Sequence, residues 1–534
     1  MTVVDVPPRA GRREWIGLAV LALPTLLLSI DFFVLLLALP HLTEDLGAGS
    51  IEQLWITDTY GFVLAGFLVT MGTLGDRIGR RKLMLIGATA FAVASLIAAY
   101  SASPAMLIAA RALLGLAGAT VMPATLALIR NMFKDPKQMA FAISVWMTCL
   151  LSGAAIGPMI GGVMLEYFWW GSVFLLGVPV MILLLVLGPF FLPEYSNPDA
   201  GRLDPVSVAL SLVTLLPGIW GLKELAKNGW EFWPTAALVV GIVFGVLFVR
   251  RQRTSESPLL DLKLFRDKAF SAALIGMLLG VTLLGSVMMF ITQYLQLVGG
   301  LSPLQTALWM LPAVAASITG VMLSPVLGRH IRPAYAIGGG LILSIVGLLV
   351  VTQAGASGTG GVAAVIVGYC LNNLGAGPLV ALGTGLVLGS APPERAGSAA
   401  ALSETSNEFG YALGIAVLGS IGAAIYSSQV GSSVPAGLSP QAADASRDTL
   451  AGAVGAAQSL PGDAGNALVT AAREAFTSGL HVIAWISLIL LAGGIVLVST
   501  MLRHVPRLGQ EQAPAEATET ESDPVTAEDA PKVA

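Results

Sequence analysis

Charge is what this chain has least of. Of its 534 residues only 11% are Asp, Glu, Lys or Arg, against roughly 25% in a soluble protein. A water-soluble body of this size could not cover its surface with so few charges. The chain therefore reads as a polytopic membrane protein, and nucleic-acid binders and disordered regulators are excluded as whole-chain answers. Cysteine is nearly absent as well. Cys149 and Cys370 stand alone in apolar runs, which argues against a disulfide scaffold and a thiolate metal site. The four histidines, His41, His330, His481 and His504, fall near the ends of apolar runs or in connections. No phosphate-binding Gly-Lys-Ser/Thr loop and no HExxH string occurs. No enzyme, cofactor or metal is expected, and a nucleotide domain for ATP-driven pumping has no room. Nor is a cleavable leader expected. The first apolar run continues from near Trp15 past Pro40 without a small-residue cleavage site, and it contains Asp31.

What is there is hydrophobic: 55% apolar residues and 61 glycines, with a mean hydropathy of +0.81. A bilayer-spanning helix needs about 20 mostly apolar residues. Such runs lie near 15–40, 54–75, 83–101, 105–130, 139–165, 171–192, 205–222, 233–250, 269–297, 303–328, 334–352, 361–389, 397–426 and 480–502, fourteen in all. Placing both termini in the cytoplasm puts 23 of the 28 Lys and Arg residues in connections on that side. Only Lys223, Lys227, Arg447 and Arg473 fall on the other, and Arg111 falls inside a run. That asymmetry is the positive-inside pattern.

The expected organisation is a short cytoplasmic N-terminus (1–14), an N-terminal six-helix bundle (15–192), two additional helices (205–250) and a C-terminal six-helix bundle (269–502). An outside segment, 427–478, is read as a docked helical hairpin broken at Pro461-Gly462 in preference to a loop. The tail, 509–534, is acidic and of low complexity and is expected to be disordered.

Several strings carry more than topology. After the second run comes Gly72-Thr-Leu-Gly75-Asp76-Arg77-Ile-Gly79-Arg80-Arg81-Lys82. Topology accounts for its cations but not for three glycines bracketing Asp76. Close packing at those glycines, with Asp76 at a helix N-terminus, would make a breakable latch. Arg111, followed by Gly115 and Gly118, is a cation inside a span. It is either an anchor on backbone carbonyls of a broken neighbour or part of the coupling machinery. Gly153, Gly157, Gly161 and Gly162 surround Pro158 in the fifth run, a pattern for close contact and a kink.

Together these strings resemble the major facilitator superfamily. The Asp76 loop matches its signature between helices two and three, 'LIAARALLGLAGA' its fourth-helix motif, and Gly157-Pro158 its antiporter motif. 'SIDFFVLLLALP', 'LWITDTYGFVLAG', 'WWGSVFLLGVPV' and 'SPLLDLKLF' resemble the fourteen-helix drug:proton antiporter branch. The resemblance implies an all-α membrane protein of two six-helix bundles with two extra central helices, moving by alternating access around a midplane site.

The remaining acids in the runs are Asp31, Asp58, Glu404 and Glu408, the last two on one helix face. A carboxyl withdrawn from water can hold a proton near neutral pH and release it when a cation or water arrives. The resemblance places the family's protonatable or cation-binding acids on these four. Phe33, Trp55, Tyr60, Trp146, Trp309 and Tyr411 are candidates for stacking on a cation, or else packing and interface anchors. Gln293, Asn372 and Asn407 are candidates for the cavity wall, or else helix–helix hydrogen-bonding groups. The expected function is proton-coupled export of lipophilic, often cationic drugs from the cell by a monomer in the plasma membrane. Its partners would be those drugs, protons and membrane lipids. Export of one metabolite or self-made antibiotic, and a non-transporting scaffold or sensor, are the rival readings.

Overall fold

The computed structural model describes residues 9–48, 50–196, 204–228, 230–255, 258–260, 262–355, 359–431, 438–460 and 462–508. The expected acidic tail, 509–534, lies outside them.

The described residues are helical throughout, with no strand among them. The first half holds α1 (Arg12–Leu46), α2 (Ser50–Ile78), α3 (Arg80–Ala99), α4 (Pro104–Met132), α5 (Pro136–Tyr167), the single turn α6 (Ser172–Leu175) and α7 (Gly177–Phe191). Then come α8 (Pro205–Asn228) and α9 (Phe232–Thr254). The second half holds α10 (Lys268–Gln293), α11 (Pro303–His330), α12 (Pro333–Val351), α13 (Thr359–Ser390), α14 (Ala396–Val430), α15 (Pro440–Asp448), α16 (Leu450–Ala457) and α17 (Gly462–Met501). Among the described residues, thirteen helices are long and apolar enough to cross a membrane. The fifth expected run forms the 32-residue α5.

Local chemistry sets the breaks. Ser103 caps α4 by accepting from the Met106 N–H, with Pro104 next in line. Asp267 caps α10 by accepting from Ala269 and Phe270. Ser302 and Gln305 form a reciprocal capping box on α11. Each satisfies N–H groups that have no partner within the helix.

Two hydrophobic cores follow the two halves. One runs from Leu18 to Leu192, joined by Val321, Leu388 and Ala400 from across the seam. The other runs from Ala272 to Leu502. The pair α8–α9 lies against that seam, since α8 packs on both α2 and α14 through Ile219 with Phe62, Ala65 and Ala412. It is peripheral: 17% of the α9 span is buried, against 83% of α4.

The last helix departs from the sequence reading. The sequence predicts a final span at 480–502, but α17 starts at Gly462 and runs 40 residues without a break. Its first turns pack on α16, and the Tyr426 hydroxyl donates to Ser446 O (2.9 Å), tying α14 to α15.

One contact that the sequence reading missed holds α12 against α13. A Cβ on Gly340 would stand 2.4 Å from Gly375 O, and one on Gly375 would stand 2.3 Å from Gly340 O. Neither can move without separating two backbones. Gly375→Val should therefore lower the melting temperature of the detergent-purified protein by several degrees, an overpacking cost of about 1–3 kcal/mol. Gly338→Ala is the matched control, because nothing lies within 4 Å of a Cβ there. Equal melting of the two variants would refute this account of the α12–α13 contact.

Candidate functional site

The first buried charge cluster joins α1, α2 and α4. Asp31 and Arg111 are both buried, and Arg111 Nη1 donates to Asp31 Oδ2 at 3.0 Å. Arg111 Nε donates to Ile56 O at 3.2 Å, and the guanidinium carbon sits 4.6 Å from the centroid of the Tyr60 ring. Asp31, singled out from the sequence as a protonatable or cation-binding acid, is thus paired with the other buried charge of the same bundle, Arg111. Arg111 does anchor on a neighbour's carbonyl, but that neighbour is the unbroken α2. Tyr60 does carry a cation on its face, but the cation is the chain's own arginine.

The second cluster is on α14. Glu404 is 4% exposed, and its Oε1 has no hydrogen-bond partner; nor does Oδ1 of Asn407 or Oγ1 of Thr405. Glu408, one turn further, is exposed. Tyr60 lies within electrostatic reach of both Asp31 and Glu408, and Glu404 within reach of Glu408. Glu404 and Glu408 thus share one helix, and Tyr60 of the first half lies within electrostatic reach of both Glu408 and the Asp31–Arg111 pair. Asp58 is half-buried on α2, two residues before Tyr60.

A third cluster closes one end of the seam. Asp76, at the end of α2, accepts from the backbone N–H groups of Gly397 and Ser398, each at 3.0 Å. These are in the first turn of α14, where the helix presents unsatisfied donors and a partial positive charge. Arg80 is 1% exposed; its Nη2 lies 2.7 Å from Asp76 Oδ1 and donates to Pro393 O at 2.7 Å. Arg130 Nε adds a bond to Leu388 O at 3.1 Å. Asp76, Arg80 and Arg130 of the first half therefore all hydrogen-bond to the second half at this one end.

The glycines of the string divide in their roles. A Cβ on Gly72 would stand 2.5 Å from Ala401 Cβ and 2.6 Å from Gly397 O, so Gly72 sets the α2–α14 approach. Gly79, at φ +109°, makes the turn between α2 and α3 against the Glu194 carboxylate. Gly75 has ordinary room beside Leu83. Arg81 stays within its own half, donating to Pro189 O and Leu192 O and lying 3.5 Å from Glu194. Arg77 is half-buried at the end of α2.

This arrangement agrees with what the chain is similar to. The model of the Major Facilitator Superfamily matches residues 21–415. The chain belongs to the major facilitator superfamily. It is 42% identical to the multidrug efflux pump LfrA of Mycolicibacterium smegmatis, across 93% of this chain and 98% of that relative. It is 34% identical to the methyl viologen resistance protein SmvA of Salmonella typhimurium, across 87% and 93%. It is 30% identical to a tetracenomycin C resistance and export protein of Streptomyces glaucescens, across 94% of each. Among solved structures, the human organic anion transporter MFSD10 shares the fold at a TM-score of 0.59 with 16% identity, over 90% of this chain and 99% of that one.

In this superfamily member the fifth-helix string packs against α1. A Cβ on Gly153 would stand 2.5 Å from Ser29 Cβ, and one on Gly161 2.5 Å from Val34 Cγ2. Gly157 is buried between them. Phe33, Pro158 and Gly162 lie outside the residues whose side chains are described.

The cavity candidates separate. Trp146 is fully buried and donates its indole N–H to Thr125 Oγ1 at 3.0 Å, a core position between α4 and α5. Asn372 is buried, and its backbone carbonyl accepts from Ser344. Tyr411 is partly exposed, with its ring against Gly285. Trp55 and Trp309 are each about half exposed. Gln293 is exposed just before a π-helical turn, Tyr294–Val298. Asn407 lies between Glu404 and Glu408 on α14 and hydrogen-bonds the Glu404 carboxyl, and Tyr411 is within electrostatic reach of Glu408.

The sequence reading missed Pro393, Gly397 and Ser398. Pro392-Pro393 ahead of an apolar run is a helix-start signal and could have marked that helix N-terminus as a docking point for Asp76.

Asp76→Ala leaves Arg80 buried without its counter-charge and frees two N–H groups, a cost on the order of 3 kcal/mol, or about a hundredfold in the closed-to-open ratio. Spin labels at Lys137 and Gly389, in a background with Cys149 and Cys370 replaced by serine, should report a longer distance in the variant. An unchanged distance distribution would remove Asp76 from the closure.

Proposed function

We propose that this protein is a proton-coupled efflux antiporter for lipophilic, often cationic compounds, working by alternating access. The observation that carries this reading is the buried carboxyl of Glu404, with one oxygen unpartnered, across the seam from the Asp31–Arg111 pair. Names of relatives support the substrate class: a multidrug efflux pump and a methyl viologen resistance protein. Methyl viologen is itself a cation.

Charge balance assigns the parts. Taking the charge from Asp31 would leave Arg111 without its counter-charge, so that pair serves best as a fixed element. Glu404 has no cationic partner among its described contacts, so its carboxyl is the one to exchange a proton for a cation. Glu408, exposed one turn away, connects it to the entry path, and Asp58 belongs to the outer relay. Half-exposed Trp55 and Tyr411 offer apolar ring surface along the same path. The Asp76 end is cytoplasmic on the positive-inside pattern, with the halves 15–192 and 269–502 rocking across the seam.

One proton moving down 100 mV releases about 2.3 kcal/mol, more than the roughly 1.4 kcal/mol that a tenfold gradient of a neutral substrate costs. Coupling requires that substrate affinity differ between protonation states.

A second reading, export of one metabolite, is favoured by the relative named for tetracenomycin C resistance and export. The same acids would serve, and only the cavity wall would differ.

Efflux of a fluorescent cation from liposomes under an imposed pH gradient tests both. The wild type should be gradient-dependent. Glu404→Gln should lose gradient-driven flux by at least about tenfold and weaken binding of the cationic dye, and Asp31→Asn should lose flux as well, since an unpaired buried arginine is costly. Gradient-independent transport by the wild type would end the antiport reading. Normal transport by both variants would end the assignment of the acids. A panel of cationic and neutral compounds separates broad export from single-metabolite export.

A further inference from the structure

Connections between helices usually run over the surface, because a buried one carries backbone groups that need partners. The connection from α9 to α10 departs from that habit. Leu259 and Leu260 are 1% and 8% exposed and pack with Val69 of α2, Phe248 of α9 and Leu402 of α14. Side chains of other elements meet their backbone groups. Leu259 O accepts from Thr73 Oγ1 on α2 at 2.9 Å, and the Leu260 N–H donates to Gln252 Oε1 on α9 at 3.1 Å. We propose, resting on the alternating-access reading, that these two leucines are a third member of the closure at the Asp76 end, and that Thr73 and Gln252 are the positioning residues that seat them.

The seat is joined directly to the latch. Thr73 stands three residues before Asp76 on α2, and its hydroxyl lies 3.3 Å from Ser398 Oγ. Ser398 in turn donates its backbone N–H to Asp76 Oδ2 at 3.0 Å. A hydroxyl has one proton to give and two lone pairs to receive. Thr73 can thus donate to Leu259 O, sharing the proton with Val69 O at 3.0 Å, while it accepts from Ser398. One side chain of α2 touches the linker and the first turn of α14 together. On the other flank, Gln252 Nε2 donates to Ser207 Oγ at 2.9 Å, and Ser207 donates to Asp204 Oδ2 at 2.7 Å. Through Gln252 the otherwise peripheral α8–α9 pair bears on the closure.

Beyond Leu260 the linker is held by the second half. The 3₁₀ turn Leu262–Arg266 places Leu264 against Phe270, Val387 and Ala399. Leu260 and Leu264 are four positions apart, a reach of about 14 Å at full extension. Parting of the halves pulls on a short tether anchored at both ends, so the seat and the latch open together.

The test places a cysteine at the seat, Leu259→Cys, in full-length protein with Cys149 and Cys370 replaced by serine, and measures its rate of alkylation by a maleimide. A side chain this buried reacts when the seat opens, so the rate follows the open fraction. Asp76→Ala should raise the rate about a hundredfold, as it lowers the closed-to-open ratio. Thr73→Val should raise it about fivefold, the worth of one buried hydrogen bond, and Thr73→Ser, which keeps the hydroxyl, should match the parent. Thr70→Val is the control: that hydroxyl is buried on the same helix without a hydrogen-bond partner, and its loss should leave the rate unchanged. Gln252→Met should act as Thr73→Val does, which decides the matter where Thr73→Val fails to fold. An Asp76→Ala rate equal to the parent's means that the linker is seated independently of the closure, and overturns the proposal. Equal increases in Thr73→Val and in Thr73→Ser or Thr70→Val overturn it too, as does no increase in either Thr73→Val or Gln252→Met. Gradient-independent efflux by the wild type would end the antiport reading and leave the seat as it stands.

Discussion

The carboxylate of Asp76, received by the first turn of α14, joins the two halves at one end of the seam. The seam between the halves at that point is made of small residues, with Gly72 against Gly397 and Ala401. Such a surface gives close approach but little apolar area, so dispersion alone binds it weakly. A buried charge received by two backbone N–H groups and one arginine supplies direction and strength. It is also breakable, because every group in it finds water when the end opens. A larger apolar interface would hold the end shut regardless of what happens elsewhere.

The helix that receives Asp76, α14, also carries Glu404 and Glu408. α14 begins with Gly397 and Ser398 at Asp76, and Glu404 follows about two turns later, roughly 10 Å along the axis. α2 ends with Asp76 and holds Tyr60 near its middle. On the proposed antiport, a change of charge at Glu404 would act on the same helix whose first turn receives Asp76, with no long chain of intermediates. The α8–α9 pair lies against this α2–α14 seam.

How legible these features were in the sequence depended on what their partners are made of. The fourteen runs, the scarce intramembrane charges and the Asp76 string stood out because hydropathy and charge are properties of side chains. The partner of Asp76 did not stand out, since it is a pair of backbone N–H groups more than 300 residues away, and backbone donors carry no residue signature. Asp31 and Arg111 were each singled out, yet their pairing was not. It requires knowing that α1 and α4 are neighbours, although two opposite charges in one bundle were a usable hint. Trp146 was ambiguous for a different reason. An indole packs in a core or lines a cavity with equal chemical ease, and only the Thr125 hydroxyl within reach decides. The α12–α13 contact was hidden by abundance: with 61 glycines, no single one signals that two backbones meet.

The contrast between the two buried acids gives the molecule its asymmetry. Asp31 and Arg111 form a pair whose net charge is zero, so the first half can keep it in the core through every conformation at constant cost. Glu404 has no such counter-charge among its described contacts, and its stability in the core therefore depends on what arrives: a proton, a cation or water. An exchanger needs one site of each kind. Two fixed pairs would couple nothing, because no ligand would change the energy of either conformation. Two unpartnered acids facing one another would repel, and the closed state would be lost whenever both ionised. On the antiport reading proposed above, a paired acid in one half and an acid without a counter-charge among its described contacts in the other would leave a single charge whose neutralisation could be shared between proton and drug, on the helix whose first turn receives Asp76.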